Sequence, residues 1–328
     1  MIIRPTRRTL SRYGSAATLA TFASPAIAQA WPSKPIKFVV TYPPGGLTDV
    51  FARAYGEYVS QKVGQAVVVE NKAGAAGAIG AELVKGSPAD GYTLMFTNST
   101  TMMQNKVLFK KLPYDPNKDF VLVAWFNTGH LPTAVNKDVP VKNVNEFAAW
   151  ARDRKVSAAT YGAGSYAHVV AESLNKHFNL KMEAVHYRGE SAMWPDVVSG
   201  AVQIASGSYA AMSPFLQSGA VKVIAVPTME RMKKLPDVPT YYEQGLTAKA
   251  FQVRGWVGCA APVGTPDAVV QRLSDLFVEA GKTERIQRIL DTFGIDQAAQ
   301  DRHFFKKVID DEEPTWLEVI RSLNLEPQ

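Results

Sequence analysis

Residues 38–53, Phe38-Val39-Val40-Thr41-Tyr42-Pro43-Pro44-Gly45-Gly46-Leu47-Thr48-Asp49-Val50-Phe51-Ala52-Arg53, change hydrophobic period in the middle. Phe38 to Tyr42 is a β-branched and aromatic run, and two prolines end it because neither can continue a ladder. From Thr48 onward Val50/Phe51, Ala54/Tyr55 and Tyr58/Val59 share one helical face. The stretch therefore predicts strand, sharp turn, helix. Two glycines open the helix, where unpaired N–H groups and the positive end of the dipole meet. Such a corner suits an anion, and it also reads as nothing more than a tight βα turn.

The same construction recurs. Strands are expected at 66–70, 93–97, 121–126, 131–135, 157–161, 182–187, 202–206 and 221–226, alternating with helical patterns. Small polar turns follow five strand ends, at 43–49, 98–101, 162–168, 187–191 and 206–209. Alternation at this spacing predicts an α/β chain with mostly parallel sheets flanked by helices. Ligands of open parallel sheets sit outside the carboxyl ends of the strands, so these turns are the candidate binding elements. They offer backbone N–H groups, the hydroxyls of Thr48, Ser99, Thr100, Ser165, Ser191 and Ser208, and several tyrosines, among them Tyr42. A lining of that kind suits a carboxylate. The C-terminal third lacks such turns and reads as helical packing, with Pro314 expected to kink or split its last helix.

A length of 328 residues favours two lobes over one core. Residues 1–30 are set apart: Arg4, Arg7, Arg8 and Arg12 precede a small, mildly apolar run ending Ala26-Ile27-Ala28-Gln29-Ala30. This predicts an export signal cleaved near Ala28–Ala30, by a twin-arginine-like or Sec route. Four of the 36 basic residues and none of the 30 acidic ones lie there, so the remainder carries only +2. No basic stripe suggests nucleic acid, and no apolar run is long enough to span a membrane. The single cysteine, Cys259, reads as core filler.

Enzymatic motifs are scarce. Gly45-Gly46 is not a dinucleotide fingerprint, the five histidines have no metal spacing, and no cofactor is expected. Ser165 and His168 leave one rival open, a secreted hydrolase or isomerase, although the surrounding residues are not a nucleophile elbow.

Several segments, taken in order, carry a resemblance. They are Trp31-Pro32-Ser33-Lys34-Pro35-Ile36, Pro43-Pro44-Gly45-Gly46-Leu47-Thr48-Asp49, Val67-Val68-Val69-Glu70-Asn71-Lys72, Asp90-Gly91-Tyr92-Thr93-Leu94, Pro113-Tyr114-Asp115-Pro116, Tyr187-Arg188-Gly189, Leu235-Pro236-Asp237-Val238-Pro239-Thr240 and Ala261-Pro262-Val263-Gly264-Thr265-Pro266. The chain resembles the Bug receptors, extracytoplasmic solute-binding proteins of tripartite tricarboxylate transporters. The resemblance implies a two-lobed type II periplasmic-binding-protein fold, with lobe 1 at 31–130 plus 256–328 and lobe 2 at 131–255. It implies a non-enzymatic periplasmic receptor that captures a di- or tricarboxylate or an aromatic acid between the lobes. The ligand then passes to the large and small membrane subunits of the transporter. By position it implies first-lobe anchors at Gly45, Gly46, Thr48 and Asp49, with Asn98 and Ser99 beside them. Second-lobe anchors are Gly164, Ser165, His168, Tyr187 and Gly189. Arg188 either pairs inward with a distal carboxylate or points to solvent. Trp194 and Tyr209, in segments that depart from the family's usual composition, either widen an aromatic wall or pack the second lobe.

Overall fold

Two five-stranded mixed sheets carry the chain. The computed structural model describes residues 1, 31–227 and 229–327, so the expected signal and its cleavage site lie outside the described residues. The first sheet has the order β2-β1-β3-β10-β4, from β1 (Ile36–Val40), β2 (Val67–Asn71), β3 (Thr93–Asn98), β4 (Phe120–Asn127) and β10 (Trp256–Pro262). The second has the order β7-β6-β8-β5-β9, from β5 (Thr133–Asn136), β6 (Ser157–Thr160), β7 (Glu183–His186), β8 (Ile204–Ser206) and β9 (Val221–Ala225).

One strand in each sheet runs against the rest. β10 is antiparallel to both β3 and β4, and β5 is antiparallel to both β8 and β9. The other four strands of each sheet consequently point the same way. Reversal brings the start of β10 to the edge where the others end: Trp256 pairs Asn127 and Val257 pairs Asn98. The start of β5 does the same, with Thr133 opposite both Ser206 and Ala225. Two connections join the sheets, one from β4 to β5 and one from β9 to β10. A hydrogen bond from the Thr128 hydroxyl to the Gly255 carbonyl (2.7 Å) ties them side by side.

Helices cover the sheets: α1 (Leu47–Val63), α2 (Ala78–Lys85), α3 (Asn105–Leu108), α4 (Val144–Ala151), α5 (Tyr166–Phe178), α6 (Glu190–Ser199), α7 (Tyr209–Gln217), α8 (Asp267–Gly281), α9 (Glu284–Thr292) and α10 (Arg302–Ser322). Under the first sheet, inward residues of β1, β3 and β4 meet α1 and α8 in an aromatic core. Phe38 lies 4.8 Å from Phe96, and Tyr55 lies 4.7 Å from Phe126, ring centre to ring centre. Phe277 of α8 reaches 5.5 Å from Phe126. Such pairs add about 0.5–1.5 kcal/mol each beyond burial. A second cluster gathers Trp194, Met193, Val197, Ala205 and Met212 beneath the second sheet. Cys259 is buried mid-strand in β10, and burial pushes its thiol far above the usual range.

Pro314 does not split the last helix. α10 runs unbroken from Arg302 to Ser322 with the proline inside it. Pro314 lies on the exposed face, where water can satisfy the carbonyl it strands. On either side Phe305, Ile309, Trp316 and Ile320 are buried, which anchors both halves of the helix. Among the described residues, no helix is long and apolar enough to cross a membrane.

Candidate functional site

The corner after β1 is held from behind. Gly45 has φ +85°, a conformation that side chains other than glycine adopt at a cost, and Gly46 follows with φ −83° and ψ 168°. Asp49, buried one turn into α1, accepts from the Gly45 N–H (3.0 Å), Arg53 Nε (3.0 Å) and Asn71 Nδ2 (2.9 Å). Asn71 Nδ2 also donates to the Tyr42 carbonyl (3.0 Å). Burial alone would push the Asp49 carboxyl up, but these donors and the Arg53 charge bring it below its ordinary value. The carboxylate thus locks the turn in place. Gly46 faces open space, since a Cβ built there has no heavy atom within 4 Å.

That open space is a small cavity, about 50 Å³, at the edge where the strands end. It has room for a few water molecules. Gly46, Leu47 and Thr48 line it from the first turn of α1, beside Tyr42, Asn98 and Ser99. The Tyr42 hydroxyl donates to Asn98 Oδ1 (2.8 Å), and burial raises its pKa to about 12. Across the cavity stand Tyr161, Gly189, Glu190 and Ser208. The floor comes from the two connections and the start of β10, through Thr128, Leu131, Gly255, Trp256 and Val257. Glu190 is the first residue of α6, and Ser208 caps α7 by accepting from the Ala211 N–H. Three helix N-termini therefore converge here. Their dipoles favour negative charge.

The walls touch. A Cβ on Gly189 would come within 2.9 Å of Pro43 Cδ, and one on Gly164 within 2.0 Å of a Leu108 methyl. The Ser191 hydroxyl donates to the Pro44 carbonyl at 3.3 Å. The cleft is shut in this conformation.

Of the residues singled out from sequence, Tyr42, Gly46, Thr48, Asn98, Ser99, Gly189 and Ser208 line the cavity. Gly45 and Asp49 shape the corner from behind it. Ser165 caps α5, its hydroxyl accepting from the His168 backbone N–H at 3.4 Å. The His168 ring accepts from the Gly164 N–H through Nδ1 (2.9 Å) and turns Nε2 toward Glu172 (3.9 Å). Burial and the neighbouring His186 lower the His168 pKa to about 4, so the ring is neutral. No nucleophile–base pair exists between Ser165 and His168, and Gly164 serves as a packing residue against Leu108. Tyr187 donates its hydroxyl to Asp196 (2.5 Å), and burial together with that carboxylate raises its pKa to about 12. Arg188 is exposed to solvent. Trp194 is fully buried and Tyr209 packs against the same cluster, so the second lobe's interior takes both.

The residues missed from sequence fall into two kinds. Tyr161 and Glu190 sit at strand-end turns already identified, and the strand-end rule alone could have included them. Thr128, Leu131, Gly255, Trp256 and Val257 had no local signal. They arrive only because β10 and β5 are reversed.

The family model described as "Tripartite tricarboxylate transporter family receptor" matches residues 51–325. A relative from Pseudomonas sp. strain P51, the UPF0065 protein in the tcbD-tcbE intergenic region, is 33% identical over 89% of this chain and 87% of its own length. Among solved structures, R. palustris Rpa4515 with adipate superposes with a TM-score of 0.84 at 26% identity, over 91% of this chain and all of that one. The periplasmic binding protein BugD superposes with a TM-score of 0.81 at 27% identity, with the same coverage.

Proposed function

Because the chain belongs to the tripartite tricarboxylate transporter receptor family, and is therefore a solute-binding receptor and not an enzyme, we propose that its shut cavity holds a carboxylate against the N-terminus of α1. One observation carries this reading: Gly46, Leu47 and Thr48 bring the first turn of a 17-residue helix to the cavity wall with no side chain in front of Gly46. The adipate held by the R. palustris relative supports a small organic acid as the guest. The two tied connections serve as the hinge, with residues 31–130 plus 256–328 moving as one lobe and 131–255 as the other. The ligand meets the Gly45-Gly46 corner first, and Gly189 and Ser208 join it on closure. Affinity that is greater for the closed state drives that closure. The protein works in the periplasm and hands its ligand to the large and small membrane subunits of the transporter.

A thermal-shift screen of short aliphatic, amino and aromatic carboxylates finds the guest, since binding raises stability. Gly46→Glu then tests the dock. Gly46 has ordinary extended backbone angles and open space at its Cβ, so the variant is expected to fold. Its carboxylate would occupy the corner, and affinity should fall at least a hundredfold by calorimetry. Unchanged affinity would sink the assignment.

A further inference from the structure

We propose that Glu190 is the specificity-determining residue of this cleft, reserving the second-sheet side of the cavity for the ammonium end of a short amino-carboxylate and barring a second carboxylate. The inference rests on the carboxylate dock proposed above and deepens it.

Glu190 is the only formally charged residue among those lining the cavity. No ion pair joins it to a lysine, arginine or histidine among the described residues. Ser208 grips it at both oxygens: the backbone N–H donates to Oε1 at 3.1 Å, and the hydroxyl donates to Oε2. A carboxylate offers about four lone-pair directions, so two donors leave acceptor capacity for a guest. Burial pushes this carboxyl above its ordinary range, and the same field helps keep the Tyr161 phenol protonated. An uncompensated carboxylate in a closed cleft is costly, and an arriving cation relieves that cost.

The placement also spends the local dipoles. Glu190 begins α6 and holds the N-terminal Ser208 of α7, so both second-sheet helix ends already face a negative group. Of the three converging N-termini, only that of α1 is left for a ligand anion. A ligand with carboxylates at both ends must set one against Glu190. A ligand with a carboxylate at one end and an ammonium at the other finds a partner at each. The cavity volume restricts the guest to a short chain.

Calorimetry with the full mature chain at pH 7.5 tests this with matched pairs: succinate against β-alanine, and glutarate against 4-aminobutyrate. The wild type should bind the amino member of a pair at least tenfold more tightly. Glu190→Gln should erase or reverse that preference. A thermal melt establishes that Glu190→Gln folds; should it fail to fold, Glu190→Ser, which also removes the charge, takes its place and should lose the preference likewise. Tighter binding of the diacids by the wild type overturns the proposal, because Glu190 would then be protonated and donating. A preference unaltered by Glu190→Gln overturns it as well. Carboxylates that bind equally to wild type and Gly46→Glu overturn the dock itself, whatever Glu190 does. Absence of binding by every pair overturns both.

Discussion

Gly189 and Pro43 meet across the cleft with no room for a methyl group between them: a Cβ at 189 would lie 2.9 Å from Pro43 Cδ. The two residues follow strands of different sheets, β7 and β1, and their contact is part of the shut arrangement. Gly189 also has φ +131°, which strains any other residue. Gly189→Ala should therefore act twice. The strain lowers stability in every conformation, by about 1–2 kcal/mol. The clash opposes closure and should weaken carboxylate binding tenfold or more in a calorimetric titration. Adding Pro43→Ala should recover affinity without recovering stability. If both return together, the clash is not what limits binding.

Asp49→Ala removes the acceptor shared by Gly45, Arg53 and Asn71. Leaving those donors without it should cost about 2–3 kcal/mol in urea unfolding. The sign of the pH dependence follows from the lowered carboxyl. Its contribution is present above the unfolded-state pKa and fades as pH falls through the folded-state value. Wild type and variant should therefore converge in acid. A gap that persists at pH 2 means the loss is packing, not charge.

His168 makes the opposite contribution to a usual ion-paired histidine. Its folded pKa of about 4 lies below the ordinary 6.5, so the unfolded chain takes up the proton first. Stability should be lost as pH falls from about 6.5 to about 4, by on the order of 3 kcal/mol from this residue. His168→Gln should flatten that part of a stability-against-pH profile relative to wild type. An unchanged slope would show the ring titrating normally.

Local chemistry made much of this architecture readable. The period change at Thr48 and the capping residues Asn143 and Ser165 are encoded within a few residues, and the structure places helices there. Asn143 caps α4 by accepting from the Glu146 N–H at 2.8 Å, a pairing three residues apart. α9, only nine residues long, went unread although Ile286, Ile289 and Leu290 fall on one helical face. A split at Pro314 was read wrongly because propensity knows nothing of the buried anchors on either side. The candidate site was half legible for the same reason. Turns at strand ends can be read singly, whereas Trp256 reaches the cavity through a strand reversal spanning the whole chain. Tyr187 stands at such a turn, yet Asp196, nine residues on, draws its hydroxyl away.

The sealed position of Cys259 has a practical use. A thiol that is buried and held protonated does not react with alkylating reagents while the protein is folded. Since the chain has no other cysteine, a pair introduced at the exposed positions Glu82 and Lys181 would take fluorophores alone. Energy transfer between dyes placed on the two sides of the cleft would then report, one molecule at a time and in otherwise native protein, whether ligand changes their separation.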